Sequence, residues 1–316
     1  MGQAVNHLMN ALFDAIASMP VCKDAQRLFH GRGGLFPGCE HLSLDIFPPA
    51  IVLTSFVPLE GSDLQIIGDA LQARWQQIHP GEPLTWVYQC RALGAAQTRL
   101  VQGSLPDPHT VQEDGARYLV HVLRGQNHGL FLDMAAGRRW VRQYIARQPA
   151  PGSCKVLNMF AYTCAFSVAA LQAGAGQVVN IDMGKGALAT GQQNHRLNQL
   201  AGGQFWPHDV FSSWGKITRT GPYQLVIMDP PSYQKGSFIA TKDYARLIKR
   251  LPDLLVPGGH ALLCLNAPEL PLSFLTEQVA QIVPELEFIE QVANPAVFAD
   301  VSPDKALKVL AYRLPS

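Results

Sequence analysis

Polar residues interrupt the apolar pattern of this chain at regular places, most clearly between residues 156 and 182. There an apolar run stops at Asn158, a polar turn and an alanine-rich segment of helical period follow, and a second apolar run closes on Asp182. That order predicts a strand, a helix and a second strand crossing over in parallel. Further apolar runs at 203–207, 224–229, 260–265, 287–292 and 307–312, with helical segments between the first five strands, extend the pattern. Together they predict an α/β domain over residues 111–316, built on a doubly wound, mainly parallel seven-stranded sheet. Leading into it, residues 118–123 read as a strand. The segment after Gly129-Leu-Phe-Leu-Asp-Met reads as a helix carrying Arg138, Arg139, Arg142 and Arg147.

The chain before this domain has a different rhythm. Val5, Leu8, Leu12, Ile16 and Met19 stand near helical spacing and are stopped by Pro20. Glycines and a proline in Arg27-Leu-Phe-His-Gly-Arg-Gly-Gly-Leu-Phe-Pro-Gly predict turns, and the runs at 42–47 and 50–56, joined at Pro48-Pro49, predict a hairpin. A helix over 63–78, a strand over 84–89 and a linker at 103–108 complete a smaller N-terminal α+β domain, residues 1–110.

Composition narrows the class. The 316 residues are 47% hydrophobic and 16% charged, as in a globular protein with a sizeable core. Residues 1–110 hold 6 Lys and Arg against 9 Asp and Glu, net −3, while the remainder holds 19 against 15, net +4. Neither half is the strongly basic body of a tight nucleic-acid binder, so contact with RNA would rest on local patches. The first residues lack the basic start and apolar core of a signal peptide, and no apolar run is long enough to cross a membrane, so a cytoplasmic protein without membrane partners is expected. Self-association as a homodimer is compatible with this sequence. Six scattered cysteines without a Cys-x-x-Cys pair read as reduced, mostly buried thiols rather than a disulfide framework or a zinc site.

Candidate chemistry gathers at the strand ends. Asn158, Asp182 and Asp229 each stand where an apolar run stops, and Asp209 lies two residues beyond another. Polar residues at one edge of a parallel sheet converge on one crevice, where an acid about 20 residues past the first turn can accept ribose hydroxyls. No Gly-x-Gly-x-x-Gly follows the first strand to admit a pyrophosphate, so a nucleoside without phosphates, such as S-adenosylmethionine, fits better than a nicotinamide dinucleotide. Asp182 is expected on the ribose, and Asp209 with Phe211 on an adenine. Any one of these residues could be an ordinary turn or cap residue; four in order favour a pocket. Asp229-Pro-Pro-Ser-Tyr, directly after an apolar strand, predicts a rigid loop with carbonyls available to an amino group or base edge. Methyl transfer from a sulfonium is a direct displacement that needs alignment and desolvation rather than a metal, and no metal-ligand spacing occurs. Lys242, Arg246, Lys249 and Arg250 recur at helical intervals and, with Arg138, Arg139 and Arg142, could hold RNA phosphates. A solvated helix face explains the same stripe.

Asn158-Met-Phe-Ala-Tyr-Thr, Asp182, His208-Asp-Val-Phe, Asp229-Pro-Pro-Ser-Tyr, Lys242-Asp243 and Gly129-Leu-Phe-Leu-Asp resemble the Rossmann-like class I methyltransferases of the bacterial RlmI and RlmK group, which modify 23S ribosomal RNA. The Arg27–Gly38 stretch resembles the small domain those proteins carry ahead of the catalytic one. The resemblance implies S-adenosylmethionine as methyl donor, surrounded by Phe131, Asp133, Arg138, Asn158, Phe160, Ala161, Tyr162, Thr163, Asp182, Met183, Asp209, Val210, Phe211 and Asp229. It implies an acceptor site formed by Asp229, Pro230, Pro231, Ser232 and Tyr233, with RNA as partner.

Four departures shape the expectation. The chain starts at the small domain, so the RNA-binding PUA domain of the RlmI type is not expected. Cys164-Ala165 replaces the usual Gly-Gly after Tyr-Thr, which strains a turn requiring positive φ and weakens donor binding. Ala135 stands where an Arg is usual. Asn266 occupies the place of the Cys of cytosine-C5 members, and Cys264, two residues earlier on an apolar strand, reads as core. Cytosine-C5 methylation needs a thiolate to add to the ring, so purine N7 or an exocyclic amine is favoured. The rivals are a methyltransferase for a small molecule or protein, and a non-catalytic RNA- or nucleotide-binding protein with a degenerate donor loop.

Overall fold

The computed structural model describes residues 9–92, 96–231, 233–234 and 238–316, with the side chains of 233 and 234 left aside. Contacts divide the chain into two compact units, Met1–Asp133 with Pro295–Pro303, and Met134–Asn294 with Asp304–Ser316.

The first unit contains α1 (Asn10–Ala17), β1 (Gln26–His30), β2 (Leu42–Phe47), β3 (Ala50–Ser55), α2 (Gly61–Ile78), β4 (Thr85–Cys90), β5 (Gln97–Gln102), β6 (Thr110–Glu113) and β7 (Ala116–Leu119). Its sheet runs in the order β1-β2-β3-β4-β5; only β3 and β4 pair in parallel, and α2 makes their crossover. The helix buries Leu64, Ile67, Leu71 and Trp75, one stripe at helical spacing. Leu12 and Ile16 of α1 join the same core with Leu44, Leu53 and Trp86. Val5 and Leu8 lie outside the described residues.

Three elements differ from the sequence pattern. Residues 26–30, expected as turns, form a strand because Arg27 and His30 pair across to Asp45 and Ser43 of β2. Strand β5 is new: its residues are half or fully exposed, so no apolar alternation marks it. The strand expected over 118–123 stops at Leu119 and pairs with β6 across an Asp114-Gly115 turn, both residues at positive φ (48° and 78°). Backbone bonds from Ala25 N to Gln112 O (2.7 Å) and from Asp114 N to the Asp24 carboxylate (3.0 Å) fasten this hairpin to the first unit. The division therefore falls at Asp133, whereas the sequence pattern put the boundary near residue 110, after a linker at 103–108.

The second unit contains α3 (Ala135–Ala146), β8 (Lys155–Met159), α4 (Ala165–Gln172), β9 (Gln177–Ile181), α5 (Lys185–Leu197), β10 (Gly203–Trp206), α6 (Trp214–Thr220), β11 (Tyr223–Met228), β12 (Tyr233–Gln234), β13 (Phe238–Ile239), α7 (Ala240–Ile248), α8 (Leu251–Leu254), β14 (Leu255–Leu265), α9 (Leu272–Ile282), β15 (Glu287–Gln291) and β16 (Lys308–Arg313). Its seven-stranded sheet has the order β10-β9-β8-β11-β14-β16-β15. The first five strands pair in parallel, and β16 runs antiparallel to both neighbours. This is the expected doubly wound α/β sheet.

Alternation along the strands builds two cores. Leu157, Met159, Val226, Met228 and Leu263 pack against Ile217, Tyr244, Leu247 and Leu251 on one face. On the other, Val156, Val178, Ile227, Leu262 and Cys264 pack against Val141, Ile145, Phe166 and Ala170. Helix α4 is buried from Phe166 to Leu171, and its small residues let it lie close on the sheet. Strand order reverses between β8 and β11, which makes the carboxyl ends of these two strands the topological switch point.

Candidate active site

Asn158 is one residue from the end of β8, and its strand partners are Asn180 on β9 and Ile227 on β11. It is 1% exposed, and its Nδ2 donates to Asn180 Oδ1 at 2.9 Å. Asn180 Nδ2 in turn donates to Ser167 Oγ (3.0 Å) and Gln204 O (3.2 Å). Ser167 Oγ lies 2.9 Å from His195 Nε2, and His195 Nδ1 lies 2.7 Å from Gly191 O. A carbonyl only accepts, so Nδ1 carries the proton, Nε2 accepts from the Ser167 hydroxyl, and the order of donors is fixed through to Asn158. Burial pushes the His195 pKa below its ordinary value, which keeps this neutral tautomer. Asn158 Oδ1 is left buried with no partner among the described residues. Such an atom costs about 1–3 kcal/mol unless a ligand or water bonds it.

The loop after β8 is strained in a regular way. Phe160, Tyr162 and Cys164, none of them glycine, have φ of 57°, 48° and 62°. Conformations of this kind cost about 1–3 kcal/mol each and persist only where the surroundings hold them. Here Asp182 is the clamp: one carboxylate oxygen accepts the Tyr162 N–H at 2.8 Å, the other the Gly184 N–H at 2.7 Å. A further backbone bond runs from Ala161 N to Ile181 O at 3.1 Å. Each Asp182 oxygen keeps a lone pair for a ligand hydroxyl. Cys164 accordingly takes the left-handed conformation at the helix start although it is not glycine, and Ala165 is already the first residue of α4.

Asp209 accepts the Phe211 and Ser212 N–H groups at 3.2 and 3.1 Å. It thus caps the turn before α6, the ordinary role weighed for it, and each oxygen has one acceptor position left. Phe211 stacks 6.3 Å from Phe238, which meets Phe160 edge-on at 5.4 Å. Val210 is buried and Met183 is 53% exposed.

On the acceptor side, Asp229 is half-buried just after β11, Pro230 is buried and Pro231 half-buried. Ser232 lies outside the described residues, and Tyr233 is described only in its backbone pairing with Ile239. The fully buried Tyr244 hydroxyl donates to Cys264 O at 2.7 Å, and its pKa is raised by burial, then by Cys264 and the nearby Asp229. Cys264 itself is 0% exposed, whereas Asn266 is exposed beyond the strand end.

The sheet edge thus brings together Asn158, Phe160, Ala161, Tyr162, Thr163, Asp182, Asp209, Phe211 and Asp229. Phe131 and Asp133 belong to the first unit, the former 38% exposed. The basic stripe needs correction. Arg138 is 3% exposed, too buried in this conformation to reach an RNA phosphate. Arg246 pairs with Asp243 at 2.7 Å and covers the Phe211 ring at 4.0 Å. Arg250 lies 4.0 Å from Asp253 and 5.3 Å from the Trp214 ring, and half-buried Arg142 donates to Gln172. Arg139, Lys242 and Lys249 are exposed.

Asn180, Ser167, His195, Gly191, Phe238 and Tyr244 were not singled out in the sequence. Asn180 had a signal: it breaks an apolar strand at the same place as Asn158 breaks its neighbour. Among the described residues no group of three His, Cys, Asp or Glu is arranged to hold a metal, and no helix is long and apolar enough to cross a membrane.

Residues 26–313 match the family model of the S-adenosylmethionine-dependent methyltransferases. The chain belongs to this family. Among curated relatives, ribosomal RNA large subunit methyltransferase I of Serratia proteamaculans is 32% identical over 288 residues, 86% of this chain and 69% of the relative. The protein of the same name from Aeromonas salmonicida is 32% identical over 173 residues, 52% of this chain and 42% of the relative. This match spans less than half the length of that methyltransferase. A Streptococcus mutans structure, described as a SAM-dependent methyltransferase, superposes with a TM-score of 0.78 at 25% identity, over 98% of this chain and 81% of that one. The methyltransferase fold and its methyl donor, S-adenosylmethionine, agree with the expectation from the strand ends. The residues present fit that donor: an unpartnered buried amide oxygen, two carboxylates with acceptor positions left and an aromatic wall meet at one edge.

Proposed function

We propose that this chain transfers a methyl group from S-adenosylmethionine to RNA, on a substrate of the 23S rRNA type, in the cytoplasm. The observation that carries the reading is the row Asp209, Asp182, Asn158 and Asp229 along four adjacent parallel strands, β10-β9-β8-β11. In this reading Asp182 accepts the ribose hydroxyls, Asp209 and Phe211 hold the adenine, and Asn158 with the 160–164 loop fixes the remainder of the donor. The sulfonium supplies an electrophilic methyl group when bound. Asp229, Pro230, Pro231, Ser232 and Tyr233 orient the acceptor and exclude water, so that the displacement is aligned.

Purine N7 or an exocyclic amine is favoured over cytosine C5. A C5 mechanism requires an accessible thiolate, and Cys264 is enclosed among Leu262, Val309 and Ala311. The names of the rRNA methyltransferase relatives support RNA as acceptor. Calorimetric titration with S-adenosylmethionine, followed by methyl transfer to rRNA from a strain lacking the gene and mass spectrometry of the fragments, tests the proposal. Absence of donor binding at millimolar concentration removes it. Donor binding with transfer only to a metabolite or protein replaces RNA as the acceptor.

A further inference from the structure

The first unit carries a concentration of arginines that the methyl-donor site does not use. Arg27 and Asp45 face each other across β1 and β2, with Arg27 Nε at 2.5 Å and Nη2 at 3.1 Å from the two carboxylate oxygens. Both oxygens of the buried Asp45 are thereby committed to Arg27. Arg27 Nη1 also donates to His30 Nδ1 at 2.7 Å, so His30 is neutral; burial, then Arg27 and Arg32, lower its pKa to about 4.

Arg32 is exposed and lies with its Cζ 4.1 Å above the Phe56 ring. No acceptor among the described residues bonds its guanidinium. Arg91 is 5.9 Å from the same ring, anchored on Gln89 Oε1 at 2.5 Å and on the Gln126 carbonyl. Burial and then Arg27 lower the pKa of Arg32; at Arg91 burial lowers it most, Asp45 offsets part of this, and Arg27 and Arg32 lower it further. Near Arg27, Arg91 and Asp45 sits His128, 6% exposed, with neither ring nitrogen partnered among the described residues.

The turn that presents Arg32 is rigid. A Cβ on Gly31 would stand 1.8 Å from Cys39 O, and one on Gly33 would stand 2.1 Å from Ala299 O. Phe298, beside Ala299, packs on His30 at 5.2 Å and under Arg27 at 4.8 Å.

We propose that Arg27, Arg32 and Arg91 form a phosphate-binding site that holds a phosphodiester of the RNA substrate. The proposal rests on RNA being the acceptor. Arg27, held on Asp45, and Arg32 and Arg91, which share the Phe56 ring, present forked N–H groups not all committed to the protein, the donors a phosphate takes. The aromatic support at Phe56 and Phe298 limits the side-chain entropy that binding would cost.

The test is anisotropy of fluorescein-labelled transcripts of 23S rRNA domains titrated with the full chain at several salt concentrations, for wild type, Arg32→Gln and Arg32→Lys. Arg32→Gln is expected to weaken binding about tenfold at low salt and to flatten the salt dependence by about 0.7–0.9 in slope. Arg32→Lys is expected to keep most of that slope, and both variants to keep wild-type affinity for S-adenosylmethionine and an unchanged Tm. Unchanged RNA affinity in Arg32→Gln overturns the site while leaving the RNA reading intact. A salt dependence in Arg32→Lys as flat as that of Arg32→Gln also overturns it, since a phosphate contact releases counterions with either cation. A wild-type chain that binds the methyl donor but no transcript overturns the RNA reading and this site with it.

Discussion

Gly191 and Cys164 are matched: a Cβ on Gly191 would lie 2.5 Å from Cys164 Sγ and 3.0 Å from its Cβ. The thiol that replaces a glycine in the donor loop therefore occupies space left by a glycine on the neighbouring helix. Cys164 is 0% exposed, and burial followed by the Asp182 charge raises its pKa well above that of an ordinary thiol. It is a packing residue, and the loop keeps its left-handed turn in its presence. Gly191→Ala alone should cost about 1–3 kcal/mol through overpacking, despite a better helix propensity. Adding Cys164→Gly should recover most of that loss, with a coupling of at least about 1 kcal/mol in urea midpoints. Additive effects would show that the two residues do not constrain each other.

Asp182 does two things at once, and substitutions can separate them. Asp182→Ala removes the acceptors of the Tyr162 and Gly184 N–H groups, so stability should drop by about 1–3 kcal/mol and donor affinity at least tenfold. Asp182→Asn keeps one acceptor and should fall between. Calorimetry with S-adenosylmethionine beside thermal melts checks both, and wild-type affinity in the Ala variant would exclude Asp182 from the donor site.

Asp229 stands at the end of β11 and should matter after binding rather than during it. Asp229→Ala is expected to keep donor affinity within a few-fold while lowering turnover by about 100-fold or more. Intact turnover with every acceptor tested would move the acceptor site elsewhere.

Cys264→Ala separates the two base chemistries. Loss of a buried thiol should cost about 1–2 kcal/mol yet leave methyl transfer intact. A well-folded variant without transfer would bring the cytosine-C5 mechanism back.

Acid should weaken the first unit through His128. Burial lowers its pKa to about 4, against 6.5 in the unfolded chain. The unfolded state thus binds more protons between these values. The contribution is complete above about pH 6.5 and is lost as pH falls through about 4, up to about 3 kcal/mol. His30 acts in the same direction with a smaller, solvent-screened share. Urea melts at about pH 7 and about pH 4 should show a smaller difference for His128→Phe than for wild type; an equal difference would assign the acid sensitivity to other groups.

The parallel sheet was legible because each buried strand is an uninterrupted apolar run whose end is marked by a polar residue. What escaped is what period alone does not encode. Strand β5 lies at an edge with its side chains in water, so it has no apolar face to display. The Asp114-Gly115 turn was present as a dipeptide but was absorbed into a longer apparent strand. Arg138 looked like a member of a basic stripe because burial of a charge is invisible in sequence. At the site, Asn158, Asp182 and Asp229 were readable from their positions at strand ends. The bonds that run from Asn180 to Ser167 and from Ser167 to His195 join residues from three elements, and no local pattern announces them.

The short return of residues 295–303 to the first unit, with Ala299 O against Gly33, has a bearing on synthesis. Strand β16 begins only at Lys308, yet it lies inside the second sheet, between β14 and β15. The first unit receives its last piece near residue 300 and the second receives an interior strand after that. Neither unit can therefore close before residues 295–313 are available, and chains cut at Asn294 should leave both unfinished. Completion of the two is thus late and ordered, the first unit by residues 295–303 and the second by β16.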